Sequence, residues 1–187
     1  MASETKQVRI KFARKYQILS FLSVTVVVLD QITKLEVLER FRLGESISII
    51  ENFFNLTYVR NTGAAFGFLA SANPAFRVPF FVIVPLIALA VISYVFKKIP
   101  ATDFRLSSAL ALVMGGAVGN LIDRLKYGYV VDFLDFHWQS TYHFPAFNVA
   151  DSAICIGVGL LMLDLFKQEQ LEQNTKTKGA SRVSSAV

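Results

Sequence analysis

Residues 16–35 of the chain read YQILSFLSVTVVVLDQITKL, an apolar stretch whose first charged side chain is Asp30. A helix needs about 20 such residues to cross the hydrocarbon core of a bilayer. Three further stretches, residues 76–96, 106–124 and 147–166, are also long and apolar enough. The 187 residues suffice for one domain, and the mean hydropathy of +0.47 is high for a soluble protein. We therefore predict a mainly α membrane protein, a single domain of residues 1–187 with four transmembrane helices.

The lysines and arginines indicate how these helices are oriented. Of the 19 basic residues, 12 lie in residues 1–15, 97–105 and 167–187. These segments precede the first helix, connect the second helix to the third and follow the fourth, so all three lie on the same side of the membrane. Cytoplasmic loops carry an excess of lysine and arginine, so we expect both termini to be cytoplasmic. The first helix is similar to a secretory signal, but no small-residue cleavage site follows it, which predicts that it is retained. The polar residues 168–187 are expected to form a disordered tail.

Two connections are expected on the extracytoplasmic side. Within residues 40–75, the stretches 46–49 and 56–60 alternate as β-strands do, and Asn61-Thr62-Gly63 is typical of a turn. This pattern predicts a small extracytoplasmic β element on the membrane surface. The second connection, residues 124–146, is rich in tyrosine, tryptophan and phenylalanine, which suit the headgroup region. We expect it to form an interfacial aromatic loop.

Polar side chains from three helices meet at one end of the predicted bundle. They are Asp30, Lys34, Asn120, Asp123, Arg124, Asn148 and Asp151. Ionisable groups at membrane depth are costly, and they mark either a functional site or a paired structural one. Asp30 and Lys34 are spaced i, i+4, so an ion pair on one helix face is the alternative. Asp123 and Arg124 also suit anchors at the membrane interface, whereas Asp151 has no basic neighbour in the sequence.

The residue types at this end restrict the chemistry. The chain has no G-x-S-x-G nucleophile elbow, its one cysteine is Cys155 in an apolar helix, and its two histidines lack the H-E-x-x-H zinc spacing. Three carboxyl groups remain, those of Asp132, Asp135 and Asp151. Two adjacent carboxyl groups share one proton near neutral pH, so one can activate water while the other donates to a carbonyl. The residues leave open whether Asp132 or Asp135 is the second member of such a pair.

Five short motifs follow one another along the chain. They are Asp30-Gln31-Ile32-Thr33-Lys34, Asn61-Thr62-Gly63-Ala64-Ala65-Phe66-Gly67, Gly119-Asn120-Leu121-Ile122-Asp123-Arg124, Val131-Asp132-Phe133 and Phe147-Asn148-Val149-Ala150-Asp151. In this order they resemble bacterial lipoprotein signal peptidase, also called signal peptidase II. The resemblance implies that Asp132 and Asp151 are the catalytic pair. The residues that it implies for orienting the pair, holding the substrate backbone or supporting the site are Asn61, Asn120, Arg124, Asn148, Asp30 and Lys34.

The resemblance also implies the substrate and the location. The protein would be an aspartic endopeptidase of the bacterial cytoplasmic (inner) membrane, with its active site near the extracytoplasmic face. Its substrate would be a diacylglyceryl-modified prolipoprotein, cleaved just before the lipidated cysteine. Because water and two carboxyl groups suffice for this hydrolysis, no cofactor and no metal are expected. We expect a monomer in contact with membrane lipid and no nucleic-acid partner, since the basic residues flank the apolar stretches.

A proton-coupled transporter or channel is the main alternative, because membrane carboxyl groups also relay protons. Transporters usually place polar groups near the midplane and often contain internal repeats. Here the polar groups lie at one end, and the sequence shows no repeat. A non-catalytic four-helix scaffold is a further alternative, and it would tolerate Asp132→Asn and Asp151→Asn if folding survived. The motifs favour the peptidase.

Overall fold

The structure, a computed structural model, describes residues 2–63, 69, 71–139 and 142–184. These residues form four helices, α1 (Ala2–Arg40), α2 (Pro74–Lys98), α3 (Phe104–Tyr127) and α4 (Val149–Ser184). Each contains a stretch long and apolar enough to cross a membrane. The prediction of a mainly helical fold with four such helices is therefore confirmed. Residues 64–67 of the second motif lie outside the described part of the chain.

The helices are longer than their apolar stretches predicted. α1 begins before residue 16 and ends at Arg40. α3 ends at Tyr127 and is followed by Gly128, whose φ of 77° is free of strain in glycine because glycine has no Cβ atom. α4 continues to Ser184 and so includes most of the polar residues for which a disordered tail is expected. The tail contains glutamine, glutamate and lysine, which favour helices, and Gln168 donates to Asp164 one turn earlier.

Helix α3 is the centre of the bundle and packs against α1, α2 and α4. Two of its glycines permit this close packing against α1. A Cβ atom at Gly115 would lie 2.9 Å from the carbonyl oxygen of Ser23, and one at Gly119 would lie 2.6 Å from Oδ2 of Asp30. Small residues at this spacing let helix backbones approach each other in a membrane. The close approach brings polar side chains of α1 and α3 into contact.

A small antiparallel sheet adjoins one end of the bundle. Its strands are β1 (Ser46–Ile50), β2 (Phe54–Asn61), β3 (Val130–Trp138) and the two-residue β4 (Tyr142–His143), in the order β1-β2-β3-β4. The first two strands match the predicted β element. The expectation of an aromatic loop over residues 124–146 is wrong, because β3 lies there. Its apolar run pairs with β2, about 70 residues earlier in the chain, and such long-range pairing leaves no local sequence signal.

A compact apolar cluster joins this sheet to the end of α1. It contains Val37 of α1, Tyr58 of β2, and Val131 and Phe133 of β3, all less than 9% exposed. Burying a side chain of this size contributes about 1.5–3 kcal/mol. Successive side chains of a strand point to opposite faces. Because Val131 and Phe133 point into this cluster, the side chain of Asp132 between them points to the other face of β3.

Candidate active site

A cavity of about 800 Å³ lies between the sheet and the ends of α3 and α4. Its polar lining includes residues from four elements, among them Asn61, Asn120, Arg124, Asp132 and Asp151. The rest of the wall is largely apolar and includes Val59, Val130, Phe144, Phe147 and Ile154. Pockets of this size, mostly apolar with a few converging polar groups, are typical of ligand-binding sites. The cavity is therefore the candidate active site.

Asp132 is the most buried acid of this cavity. Its residue is 2% exposed, and its two carboxyl oxygens accept hydrogen bonds from Nδ2 of Asn61 at 3.0 Å and Nδ2 of Asn148 at 2.7 Å. Burial raises the pKa of Asp132 to about 7, and the negative charge of Asp151 acts in the same direction. The two amide hydrogen bonds oppose this shift only in part. Asp132 is thus a carboxyl group that retains a proton near neutral pH.

Asp151 is positioned by the local geometry of the start of α4. Its backbone N–H donates to Oδ1 of Asn148 at 2.9 Å, and its own Oδ2 accepts from the backbone N–H of Asn148 at 3.3 Å. This reciprocal arrangement is a capping box, which satisfies backbone donors that a helix start leaves unpaired. Nδ2 of Asn120 donates to the other oxygen of Asp151 at 2.7 Å. The side chain of Asp151 is therefore held from both α3 and α4.

Asn148 connects the two acids. Its side chain is fully buried, and its amide nitrogen donates to Asp132 at 2.7 Å while its amide oxygen accepts from the backbone of Asp151. One amide group thus bridges the segments that carry the two carboxyl groups. The two carboxyl groups also interact electrostatically, because the negative charge of Asp151 raises the pKa of Asp132. This arrangement can perform general acid and general base chemistry on a bound carbonyl compound.

A buried ion cluster lies behind the cavity. Nζ of Lys34 is 2.8 Å from Asp30, 3.0 Å from Asp123 and 2.9 Å from Oδ1 of Asn120. The suggested pair between Asp30 and Lys34 is therefore present, but Asp123 completes it. The alternative of Asp123 as an interfacial anchor is wrong, because its residue is only 1% exposed. Asp123 lies on the side of α3 that faces α1, where it pairs with Lys34, and not on the side that faces the membrane surface.

The two acids of this cluster each bind the backbone just before an acid of the cavity. Oδ1 of Asp30 accepts from the N–H of Ala150 at 2.9 Å, and Oδ2 of Asp123 accepts from the N–H of Val131 at 3.0 Å. Ala150 precedes Asp151, and Val131 precedes Asp132. Lys34 pairs with both Asp30 and Asp123. Its one ammonium group thus connects the two backbone segments that carry the cavity carboxyl groups.

Arg124 forms part of the cavity wall nearest α2. Its Nη2 donates to the carbonyl oxygen of Gly63 at 3.2 Å, and its guanidinium lies 5.3 Å from the centre of the Phe81 ring. Such a cation over an aromatic face is attracted by the ring quadrupole. Arg124 is therefore not an exposed anchor. It connects the turn after β2 with α2 beside the cavity.

The structure brings together all eight residues that the sequence analysis assigned to the site, and it separates Asp135 from them. Asp135 accepts from Nδ2 of Asn55 at 3.2 Å along the sheet and does not line the cavity. Cys155 does line it, one turn after Asp151. The sequence analysis placed Asp123 in the polar cluster without a role in the site and did not consider Gln31, which donates to Asp123 at 2.9 Å. In the described part of the chain, no group of three His, Cys, Asp or Glu residues could hold a metal ion.

A family model described as "Signal peptidase (SPase) II" matches residues 22–167, which include every residue of the cavity and of the ion cluster. The chain belongs to the signal peptidase II family. The recognition made from the five motifs is thereby confirmed. Signal peptidase II enzymes are aspartic peptidases, so this chain is an enzyme of that class.

Curated relatives agree with this family over most of the chain. The lipoprotein signal peptidase of Geobacter sulfurreducens is 48% identical over 155 residues, 83% of this chain and 95% of the relative. That of Shewanella loihica is 52% identical over 147 residues, 79% of this chain and 85% of the relative. Because these relatives are signal peptidases, the transporter alternative has no support.

A solved structure has the same fold. It is described as a bacterial membrane enzyme determined by the in meso method at 2.3 Å, and it is 38% identical, with a TM-score of 0.73. The similarity covers 81% of this chain and 88% of that chain. Together with the four apolar helices, it identifies this signal peptidase as a multi-pass bacterial membrane protein.

Proposed function

We propose that this signal peptidase removes signal peptides from diacylglyceryl-modified prolipoproteins by hydrolysing the bond before the lipidated cysteine, with Asp132 and Asp151 as its catalytic residues. The observation that carries this proposal is that both carboxyl groups line one cavity and are joined through Asn148. The relatives named lipoprotein signal peptidase support the substrate class. The apolar wall of the cavity suits a substrate that carries acyl chains.

The two carboxyl groups have different tasks in the proposed reaction. Asp132 carries the shared proton, because burial raises its pKa to about 7. Asp151 acts as the general base and takes a proton from a water molecule, whose oxygen attacks the scissile carbonyl carbon. At the same time Asp132 donates its proton to the carbonyl oxygen, so no free oxyanion forms. The product of this step is a tetrahedral diol.

Collapse of the diol completes the hydrolysis. The proton on Asp151 passes to the nitrogen of the scissile bond, and the C–N bond breaks. One diol hydroxyl returns its proton to Asp132 as the carbonyl group re-forms. The signal peptide leaves with a new carboxyl group, the lipidated cysteine has a new amino group, and the enzyme regains its starting protonation. These steps use only water and the two carboxyl groups.

The remaining polar residues orient the pair and hold the substrate backbone. Asn61 and Asn120 each donate to one acid of the pair, which keeps each carboxyl group in one orientation. Arg124 lines the cavity beside Asn120 and supplies guanidinium donors for substrate carbonyl groups. Asp30 and Lys34 support the pair from behind. A constellation held in this way catalyses because its groups need no rearrangement during reaction.

The proposed site faces the outside of the bacterial inner membrane, and both termini are cytoplasmic. The support for this orientation is the concentration of 12 of the 19 basic residues in the segments at the other end of the bundle. A substrate anchored by acyl chains is held at the bilayer surface, where the cavity lies at the ends of α3 and α4. The enzyme acts as a monomer in contact with membrane lipid, since one chain contributes every residue of the site.

The proposal is tested with purified protein in detergent and a diacylglyceryl-modified prolipoprotein. We expect the wild type to cleave it, and Asp132→Asn and Asp151→Asn each to lower kcat by about 100-fold or more. Asp135→Asn is the matched control, because it makes the same change on the same strand outside the cavity, and it should retain activity. Loss of activity in Asp135→Asn with activity kept in Asp132→Asn would reassign the pair. Equal cleavage of the substrate without its lipid would refute the lipid requirement.

A further inference from the structure

Beside the cavity, a row of alternating cations and tyrosines runs across the sheet and the end of α3. We name this row, formed by Lys126, Tyr127, Tyr129, Arg60 and Tyr58, the cation–tyrosine ladder. Nζ of Lys126 lies 4.9 Å from the ring centre of Tyr127, which stacks on Tyr129 at 5.7 Å. The guanidinium of Arg60 lies 4.8 Å from the ring centre of Tyr129 and 5.5 Å from that of Tyr58.

Hydrogen bonds hold Arg60 in one orientation within the ladder. Its Nε donates to the hydroxyl of Tyr58 at 2.8 Å, and this hydroxyl lies 3.2 Å from that of Tyr129. Tyr58 itself is only 3% exposed and belongs to the apolar cluster below the sheet. An arginine fixed by stacking and by Nε presents its two terminal NH₂ groups as a preorganised fork of donors.

The two cations of the ladder have no acidic partner. None of the ion pairs among the described residues includes Arg60 or Lys126, and both side chains are exposed. The row therefore offers two positive charges and several N–H donors to an external group. Arginine forks and lysine ammonium groups are the side chains that proteins use to bind phosphate.

The position of the ladder indicates what carries that phosphate. Leu125, the residue before Lys126 on the last turn of α3, is 66% exposed and belongs to a helix that can cross a membrane. Tyrosines at the end of such a helix lie at the level of the lipid headgroups. A lipid bound here thus has its acyl chains beside Leu125 and its headgroup beside Arg60 and Lys126.

We propose that the cation–tyrosine ladder binds the phosphate of an anionic phospholipid. A headgroup that carries its own ammonium ion would place a third cation beside Arg60 and Lys126, so an uncharged headgroup such as glycerol is preferred. Of the five ladder residues, Arg60 alone also lines the catalytic cavity. The ladder adjoins the catalytic pair because Arg60 precedes Asn61, which binds Asp132. A bound lipid therefore steadies the strand that carries Asn61.

Lipid binding tests this inference without any measurement of catalysis. Purified protein in detergent is titrated with phosphatidylglycerol or phosphatidylcholine, and bound lipid is counted by native mass spectrometry. We expect tighter binding of phosphatidylglycerol by the wild type, and a loss of about 30-fold in Arg60→Gln/Lys126→Gln, because two cations are removed. Arg40→Gln is the matched control, since Arg40 is also exposed at this end of the bundle but pairs with Glu36. Lys126→Arg should keep the preference for phosphatidylglycerol over phosphatidylcholine, because it keeps the positive charge.

Each remaining outcome decides the proposal. An undiminished preference for phosphatidylglycerol in the double variant refutes the ladder site, as does an equal loss in Arg40→Gln. If inorganic phosphate stabilises the wild type in thermal unfolding as strongly as phosphatidylglycerol does, the site binds soluble phosphate and the lipid assignment is wrong. Should the double variant fail to fold, Lys126→Gln alone is decisive, because its exposed side chain touches only Tyr127 in the ladder. It should weaken binding several-fold, and unchanged binding refutes the proposal.

Discussion

The ammonium group of Lys34 on α1 donates to the amide oxygen of Asn120 on α3 over 2.9 Å. Nδ2 of Asn148 donates to the same oxygen at 3.1 Å. Because two donors converge on the oxygen, the NH₂ group of Asn120 has to face the other way, where it binds Asp151 at 2.7 Å. A lysine that does not line the cavity thus sets the orientation of an amide that contacts a proposed catalytic acid.

Removal of this lysine should destabilise the protein. Lys34→Met keeps the length of the side chain but leaves Asp30 and Asp123 buried without a counter-ion. Breaking a buried pair in this way costs about 3–5 kcal/mol, and the fall in the free energy of unfolding is measurable by denaturation in detergent. Arg40→Gln is the control, because its exposed pair with Glu36 contributes at most about 1 kcal/mol. Equal effects of the two substitutions would contradict the role of the cluster.

The pH dependence of activity should reflect Asp132. Its raised pKa of about 7 means that the carboxyl group is protonated below this pH and ionised above it. Since the proposed reaction needs one protonated acid, kcat/KM should decrease as the pH rises through about 7. A profile measured with lipid-modified substrate checks this expectation. Constant kcat/KM from about pH 5 to about pH 9, two units to either side of about 7, would show that the protonated acid is not Asp132.

Stability should respond to the same group, independently of catalysis. A carboxyl group whose pKa is higher in the folded than in the unfolded state binds more protons when folded, so its contribution falls as the pH rises from about 4 to about 7. The asparagine in the Asp132→Asn variant cannot ionise, so the variant does not lose this stability as the pH rises. The variant should therefore gain stability relative to the wild type as the pH rises from about 4 to about 7, the window given by the two pKa values. Asp135→Asn serves as the comparison, and an identical pH dependence in both variants would refute the assignment.

Close packing of α3 on α4 should be required for the geometry of the pair. A Cβ atom at Gly116 would collide with the carbonyl oxygen of Ala150 and lie 2.7 Å from Cγ1 of Ile154. Gly116→Ala should cost about 1–3 kcal/mol through overpacking and lower kcat, because Ala150 precedes Asp151. Gly159→Ala is the control, since no atom lies within 4 Å of its added Cβ. Thermal unfolding and kcat are measured together, and an active, stable Gly116→Ala enzyme would contradict the packing.

Modification of Cys155 should block the cavity. This cysteine is the one thiol of the chain, it is exposed, and it lines the cavity one turn after Asp151. A bulky maleimide should therefore inactivate the enzyme, and bound substrate should slow the reaction. Cys155→Ser should retain activity and resist the reagent, because no step of the proposed mechanism uses the thiol. Full activity after complete alkylation would show that the substrate does not occupy this part of the cavity.

Local patterns in the sequence predicted much of this protein. The apolar stretches predicted four membrane-spanning helices, because the cost of burying polar groups in lipid leaves few alternatives. The i, i+4 spacing predicted the pair of Asp30 and Lys34, and Asn148 with Asp151 forms a capping box within four residues. Interactions between residues so close in the chain depend mainly on local geometry.

Contacts between distant segments could not be predicted in this way. Strand β3 was expected to be a loop, since its stability comes from pairing with β2 and from the apolar cluster below the sheet. The burial of Asp123 depends on the packing of α3 against α1, which an interfacial position in the sequence does not reveal. The cation–tyrosine ladder also combines residues from strand β2, the end of α3 and the turn before β3.

The choice between Asp132 and Asp135 shows the difference between what local sequence patterns predict and what contacts between distant segments decide. Composition and motifs alone led to a four-helix membrane peptidase with acids at one end of the bundle, because lipid imposes strong and local constraints on the chain. In the sequence, both aspartates follow apolar residues and are equally suited to pair with Asp151. The family resemblance pointed to Asp132, and the folded sheet supplies the physical reason, since residues three apart in a strand leave opposite faces. Packing of Val131 and Phe133 against α1 and the neighbouring strand then turns Asp132 toward the cavity and Asp151.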